Sequence, residues 1–104
     1  MIFIFTNLHS REIALKIGQT LLEKRLIACY NFFPIESAYW WKGEIVRENE
    51  TMLILKTTEP SYSEIESYIK ENSDYEVSEV TAVKADKVNK EYLAWLEKEV
   101  GGTK

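Results

Sequence analysis

Hydrophobic and polar residues alternate along this chain in blocks that predict four strands and three helices. The apolar run Ile2 to Thr6 is short and continuous, which is typical of a central strand buried on both faces. Asn7-Leu8-His9 follows as a connection, and Ser10 can cap a helix that runs to about Lys24. The apolar stripe of that helix comprises Ile13, Ala14, Ile17, Leu21 and Leu22.

The stretch from Leu26 to Thr57 predicts one long β-hairpin, around which the rest of the chain is organised. Its turn is Lys42-Gly43, where glycine supplies the positive φ that a tight reversal needs. Aromatic and β-branched residues dominate the incoming arm, and the outgoing arm ends in the apolar run 52–55. Pro34 cannot donate a ladder hydrogen bond, so we expect it at a bulge or in an edge segment.

The length of this hairpin predicts that its tip overhangs the body. The incoming arm from Ile27 to Trp41 spans about 50 Å when extended, whereas a domain of this size is about 33 Å across. The overhanging tip presents apolar side chains on both faces, namely Tyr39, Trp40, Trp41, Ile45 and Val46. Exposed apolar surface of this kind marks a contact surface. We therefore expect other copies of the chain to cover the tip, and a long monomeric sheet edge is the alternative.

The second half of the chain predicts a helix, a strand and a further helix. Glu59-Pro60-Ser61 begins the second helix, in which Ser61 and Glu64 fit a capping box. Val77 to Lys84 is rich in β-branched residues and predicts the fourth strand. Asn89 caps a third helix that stops at Gly101-Gly102.

This order, β-α-β-β-α-β followed by α, predicts the fold class. Two split βαβ units give an α+β, ferredoxin-like domain, with a four-stranded antiparallel sheet and both main helices on one face. We expect the single domain to cover residues 1–104. The fold hosts unrelated functions, so it does not choose one.

Composition and charge exclude several classes of function. Thirteen basic and seventeen acidic residues give a net charge of −4, which argues against a nucleic-acid surface. No apolar run approaches the roughly 20 residues of a membrane span. The apolar start has neither a basic n-region nor a cleavage site, so we expect no signal peptide and a cytoplasmic protein. One cysteine excludes an internal disulfide and a CxxC motif.

The chain has few residues in patterns that indicate a binding or catalytic site. Trp40-Trp41 is either a platform on which a ligand stacks or part of an interface between subunits, which we call the seam. We favour the seam because tryptophan and tyrosine contribute much of the binding energy at protein interfaces. Cys29 and His9 are the metal candidates of soft character, although a divalent site needs several convergent ligands. Carboxylate oxygens for a hard cation are offered by Glu44, Glu48, Glu50, Asp74, Glu76 and Glu79. No nucleophile-base-orienter pattern or phosphate-binding glycine loop is present, so we expect no enzyme and no cofactor.

Several motifs carry a family resemblance over essentially the whole chain. They are Thr6, Leu26-Ile27-Ala28-Cys29, Tyr39-Trp40-Trp41-Lys42-Gly43-Glu44-Ile45, Ile54-Leu55-Lys56-Thr57, Tyr75-Glu76 and Tyr92-Leu93-Ala94-Trp95-Leu96. On these the chain resembles the CutA family of divalent-cation tolerance proteins, whose architecture is similar to that of the PII signalling trimers. The resemblance implies a ferredoxin-like subunit in a tight homotrimer, with the long hairpins bracing neighbouring subunits.

The chain departs from the family at the copper ligands. Some members bind copper through a first-strand cysteine and histidines before the Tyr-Glu pair, where this chain has Phe5 and Asn72-Ser73. The His-Pro of many members is replaced by Ser73-Asp74, and Ser78 stands where proline precedes Glu79. We therefore predict no copper site of that type.

Three function hypotheses follow. The first is a non-enzymatic trimer of the cation-tolerance family that binds a metal or a small ligand at subunit junctions. The second is a PII-like allosteric sensor of a small anionic metabolite, and the third is a purely structural trimeric scaffold. For the first two, the candidate residues of the inter-subunit cleft are Tyr39, Trp40, Trp41, Lys42, Glu44, Lys56, Tyr75 and Glu76. Of these, Lys42, Lys56, Tyr75 and Glu76 would contact an anionic metabolite.

Overall fold

Four strands form one antiparallel sheet in a computed structural model that describes residues 1–101. The elements are β1 (Ile2–Leu8), α1 (Arg11–Glu23), β2 (Cys29–Trp41), β3 (Glu44–Thr57), a 3-10 turn (Glu59–Ser61), α2 (Tyr62–Asn72), β4 (Thr81–Lys84) and α3 (Lys90–Glu99). The strand order β2-β3-β1-β4 confirms the predicted ferredoxin-like fold with an added C-terminal helix. Within the described residues, no helix has the length and apolar character needed to span a membrane.

Strand β1 is central, as predicted, but it is longer than predicted and buries only one of its faces. Ile2, Ile4, Thr6 and Leu8 are buried, and the residues between them are half-buried. The predicted burial on both faces was therefore wrong for the single chain. The buried positions pack in one cluster with residues of α1, α2 and β3, among them Ile17, Leu21, Ile65, Ile69, Leu53 and Leu55. The opposite face of the sheet is left half-buried.

The helix caps agree with the sequence at α1 and differ from it at α2. The Ser10 hydroxyl accepts a hydrogen bond of 3.2 Å from the Ile13 N–H, as expected of an N-cap. The capping box of Ser61 does not form, because Ser61 already has a helical backbone at the end of the 3-10 turn and its side chain makes no cap bond. Asn89 precedes α3 without a side-chain cap bond. Gly101 has a positive φ of 71°, and Gly102, the predicted helix stop beside it, lies outside the described residues.

Strand β4 is shorter than the predicted Val77 to Lys84. Only Thr81–Lys84 pair with β1, and Val77 is 71% exposed. The chain just before the strand is held by side chains instead of by the sheet ladder. The Tyr62 hydroxyl donates to the Val80 carbonyl at 3.1 Å, and the Tyr75 hydroxyl binds carboxylates of β3. Residues 73–80 therefore form a connecting segment beside the sheet, which we call the strap.

Strands β2 and β3 form the predicted hairpin without a break in register, from Cys29↔Lys56 to Trp41↔Glu44. Both turn residues have positive φ, 49° for Lys42 and 81° for Gly43, as a two-residue type I′ turn requires. The sequence predicted the positive φ only for the glycine. Pro34 pairs with Thr51 in edge strand β2 and causes no bulge, which settles the two expected alternatives in favour of the edge.

The outer half of the hairpin extends beyond the rest of the sheet. The last pair between β1 and β3 is Leu8↔Thr51, so residues 35–50 form a two-stranded segment, which we call the ribbon. It stretches the molecule to 45 × 28 × 21 Å and leaves Trp40 72% and Ile45 59% exposed. An isolated two-stranded hairpin is marginally stable in water. The ribbon therefore lacks cover within its own chain.

Candidate functional site

An open cleft with a volume of about 810 Å³ lies between the ribbon and the strap. Side chains from the end of β1, from β2, from β3 and from the strap meet there because the strap passes beside the base of the ribbon. The lining residues are Asn7, His9, Glu36, Ser37, Ala38, Tyr39, Trp40, Trp41, Glu50, Asp74, Tyr75, Glu76, Val77 and Glu79. We call this cavity the acidic cleft.

Tyr75 contacts residues of two other parts of the chain from its place in the acidic cleft. Its hydroxyl donates a short hydrogen bond to Glu50 Oε2 and lies 3.2 Å from Glu48 Oε1. Its ring stacks on the imidazole of His9, with a distance of 3.9 Å between ring centroids. Burial, followed by the Glu50 and Glu48 carboxylates, raises the pKa of Tyr75 far above its usual range. Tyr75 is therefore a neutral hydrogen-bond donor that ties the strap to β3.

Glu48 and Glu50 approach one hydroxyl because they are two residues apart on β3 and so point to the same face of the strand. Glu50 is only 6% exposed, and Glu48 is half-buried. These carboxylates also raise the pKa of the Tyr39 hydroxyl, after the larger effect of burial. Two tyrosine hydroxyls and two carboxylates thus share one electronegative region at the base of the ribbon.

The charge of the acidic cleft has one sign. Its lining includes five carboxylates and, within the described chain, no lysine or arginine. Lys42 lies at the tip with its ammonium 5.6 Å from the ring centroid of Trp41, and Lys56 lies 5.8 Å from that of Tyr92 on α3. The two lysines proposed as ligand contacts are therefore separated from Tyr75 and Glu76. Such a cleft attracts cations and repels anions.

The structure separates the two soft metal candidates. His9 borders the acidic cleft beyond the last β1–β3 pair, whereas Cys29 pairs with Lys56 at the base of the hairpin. Pro34 is level with Leu8, the residue before His9, because both pair with Thr51. Five strand positions, or about 17 Å, separate Cys29 from Pro34. Among residues 1–101, no three His, Cys, Asp or Glu side chains converge as a preformed metal site. A cation held by one chain would therefore need water ligands or a neighbouring chain.

The sequence predicted some of the residues that line the acidic cleft and missed others. Tyr39, Trp40, Trp41, Tyr75 and Glu76 do line the cleft, but Glu44 lies at the hairpin turn outside it. Of the carboxylates proposed for a hard cation, the structure gathers Glu48, Glu50, Asp74, Glu76 and Glu79 around the cleft or its Tyr75 anchor.

Two contributions were not foreseen. Asn7, expected in a loop, is the last half-buried position of β1 and lines the cleft with Glu36. The stacking of His9 on Tyr75 joins residues 66 positions apart and has no signal in sequence. The alternation of Glu48 and Glu50 before the apolar run 52–55 was a usable signal, because it places both carboxylates on one face.

Comparisons with known proteins agree with this architecture. The family model described as "CutA1 divalent ion tolerance protein" matches residues 2–99. The chain is 44% identical over 100 residues to the divalent-cation tolerance protein CutA of Thermotoga maritima, covering 96% of this chain and 99% of that protein.

Two solved structures show the same fold. The periplasmic divalent cation tolerance protein CutA of Archaeoglobus fulgidus is similar with a TM-score of 0.93 and 36% identity, covering 96% of this chain and 99% of the other. The PII-like protein CutA of Nostoc sp. PCC 7120 has a TM-score of 0.89 and 30% identity, covering 96% and 97%.

Proposed function

Because the chain belongs to the CutA1 divalent ion tolerance family, we propose that it contributes to divalent-cation tolerance by binding, without catalysis. The proposed ligand is a divalent cation or a small cationic molecule, and the proposed site is the acidic cleft at the subunit junctions of a cytoplasmic homotrimer. The observation that carries the proposal is the buried carboxylate of Glu50, which lines a cleft without basic residues among the described ones.

The uncovered apolar surface of the ribbon supports the proposed homotrimer. Its residues 35–50 pair only with each other, and its tip exposes Trp40 and Ile45 on one side and half-exposes Trp41 on the other. The open face of the sheet adds half-buried aromatic positions, Phe3 and Phe5. Neighbouring copies that cover both surfaces would remove a large apolar area from water, and burial of apolar area is the main favourable term in association.

We expect the protein to be a trimer at micromolar concentration. Multi-angle light scattering should give three times the mass of the chain, and dilution should not reduce it until well below micromolar. A mass equal to that of one chain would contradict the trimer, because the ribbon would then be stable in water without cover. A dimer would contradict the three-fold arrangement while leaving the contact role of the tip intact.

We expect calorimetric titration with Mg²⁺, Ca²⁺, Mn²⁺ and Zn²⁺ to show binding that depends on Glu50. Glu50→Gln removes one of the carboxylate charges and should weaken the affinity about tenfold, or about 1.4 kcal/mol. Glu44→Gln is the matched control, because Glu44 is an exposed carboxylate on the same strand and lies outside the cleft. Equal affinities in the two variants would exclude the cleft as the cation site.

Copper should behave differently in the same experiment. Tight copper binding needs converging thiolate or imidazole ligands, and this structure places Cys29 and His9 near opposite ends of strand β1. We expect no stoichiometric copper tighter than about micromolar. One copper per chain at nanomolar affinity, abolished by Cys29→Ser or His9→Ala, would contradict this prediction and would indicate a site built between neighbouring chains.

The PII-like sensor of an anionic metabolite has weaker support from the geometry. The likeness to the PII-like protein of Nostoc sp. PCC 7120 supports a shared fold, but Lys42 and Lys56 do not converge with Tyr75 in one chain. The same titrations with nucleotides would detect that activity. Binding of neither cations nor nucleotides would leave the structural scaffold as the remaining hypothesis.

A further inference from the structure

Arg25 adopts an uncommon backbone conformation between α1 and the hairpin. Its φ of 60° lies in the left-handed region, which is unfavourable for a residue other than glycine or asparagine. The N–H groups of Arg25 and Leu26 donate to carbonyls of α1 at 3.0 and 3.1 Å, which is the Schellman pattern of a helix end. Glycine is the usual residue at this position, so the turn alone does not explain an arginine.

Three hydrogen bonds join Arg25 to the end of α3. Arg25 Nη1 donates to Glu99 Oε2 at 2.7 Å and to the Glu99 carbonyl at 3.3 Å. The Gly101 N–H donates to the Arg25 carbonyl at 2.8 Å. We call these three hydrogen bonds the latch. They connect the end of α1 with a helix that lies 74 positions later in the chain.

Glu99 is also unfavourable in its local structure. It is the last residue of α3, and a carboxylate at the C-terminal end of a helix interacts unfavourably with the helix dipole. Arg25 and Glu99 are thus each a poor choice for their own element, and each is explained by its contact with the other. Local conflicts of this kind indicate positions that serve a tertiary or functional contact.

Apart from the latch, α3 is held weakly. Leu96 is its one fully buried side chain, and Leu96 does not belong to the main core cluster of the described residues. The helix has ten residues, which is too short for an isolated helix to be stable in water. Elements with few buried apolar contacts open at a lower free energy than the core does. A specific contact such as the latch therefore decides how often α3 leaves the sheet.

The helix lies against the base of the hairpin. The Lys56 ammonium, near the end of β3, is 5.8 Å from the ring centroid of Tyr92 on α3. Trp95 borders an open cleft of about 480 Å³ together with Ile27 and Ala28, which lead into β2. α3 thus covers the place where β2 begins and β3 ends.

We propose that α3 is a lid over the base of the hairpin and that Arg25 holds it closed through the latch. Opening of the lid uncovers the buried Ile27 and separates the Lys56 ammonium from Tyr92. No residue of the acidic cleft takes part, so the lid does not rest on the proposed cation binding. The latch lies within one chain, so the assembled protein serves for the test.

Hydrogen–deuterium exchange, resolved on peptides from α3 and from β1 and β3, tests the lid in Arg25→Gly. The two effects of this substitution have opposite signs. Glycine relieves the left-handed backbone, but it removes both side-chain bonds to Glu99. Because hydrogen bonds between charged groups are the stronger ones, the α3 amides should exchange about tenfold faster than in the wild type. The amides of β1 and β3 should exchange as slowly as before.

Two results of that experiment would overturn the lid. Equal or slower exchange of α3 in Arg25→Gly would show that Arg25 only ends α1. Faster exchange of β1 and β3 to the same extent as α3 would show that α3 does not move separately from the core.

Glu99→Gln tests the latch from its other end, away from the strained turn. Removing this charge improves the helix itself, so α3 should exchange more slowly than in the wild type if the latch contributes nothing. We expect exchange about threefold faster instead, because the ion pair is lost while the carbonyl bond stays. Slower or unchanged exchange would overturn the latch. If Arg25→Gly does not fold, Glu99→Gln decides alone.

Two matched controls complete the experiment. Glu59→Gln removes the charge from the exposed ion pair with Lys84, and Lys42→Gly relieves the other left-handed residue that is not glycine in the described chain. Both positions lie away from α3, so its exchange should stay as in the wild type. An acceleration as large as that of Arg25→Gly in either control would overturn the assignment of the latch to Arg25.

Discussion

Trp41→Ala is expected to destabilise the assembly by about 3–5 kcal/mol for each chain, the usual cost of truncating a buried tryptophan. Trp41 is 37% exposed in the single chain, and the proposed trimer would bury the remainder against a neighbour. Trp41 is in the last pair of the ribbon, directly before the Lys42-Gly43 turn. The same samples should be measured by denaturant unfolding and by sedimentation. We expect Trp41→Ala to dissociate and to unfold together, at a lower denaturant concentration than the wild-type protein.

Trp95→Ala is the control for this experiment. Trp95 has similar exposure, 43%, but lies on α3, away from the hairpin tip. We expect its truncation to cost clearly less than that of Trp41. An unchanged melting temperature in Trp41→Ala, combined with weaker ligand binding, would contradict the seam and would make Trp41 a ligand-stacking platform of the acidic cleft.

Leu53→Ala is expected to reduce the free energy of unfolding by about 2–5 kcal/mol, because it leaves a cavity that the core can fill only in part. Leu53 is fully buried on β3, opposite Thr6 of the central strand and Phe32 of β2. Its neighbours come from both layers of the fold, so neither layer can collapse into the space alone. Urea or guanidinium unfolding at a fixed protein concentration measures the loss.

Leu15→Ala makes the same substitution on the solvent side of α1, where Leu15 is 37% exposed. It removes little buried area and introduces a better helix former, so we expect a change within about 0.5 kcal/mol. A loss as large as that of Leu53→Ala would show that the outer face of α1 is itself covered in the assembly. That result would revise which surfaces the subunits share.

The fold was predictable because its signals are local. The stripe at Ile13 and Ala14, the cap at Ser10 and the turn at Gly43 each act within a few residues, and the structure has all of them. The fourth strand was predicted too long because a β-branched residue such as Val77 favours the extended conformation but does not show whether another strand pairs with it. No strand of the described chain pairs with residues 77–80, since side-chain bonds from Tyr62 and Tyr75 hold that part of the chain.

The acidic cleft was predictable in composition but not in geometry. Its carboxylates were recognisable as oxygen ligands, and the alternation of Glu48 and Glu50 placed two of them together. The Tyr75 hydroxyl reaches both carboxylates because of the path of the strap. Tertiary contacts set that path, and no local sequence pattern predicts it. The separation of Lys56 from Tyr75 has the same origin, because Lys56 pairs with Phe3 and Cys29 at the far end of β3.

The position of Pro34 in edge strand β2 has a consequence for the protein's behaviour at high concentration. A long edge strand offers unpaired backbone groups on which further chains can add, strand by strand, into fibres. Pro34 lacks the N–H that an added strand would need halfway along this edge. The other edge, β4, has only four residues. Both borders of the sheet therefore discourage open-ended growth, which matters for a chain whose ribbon exposes Trp40.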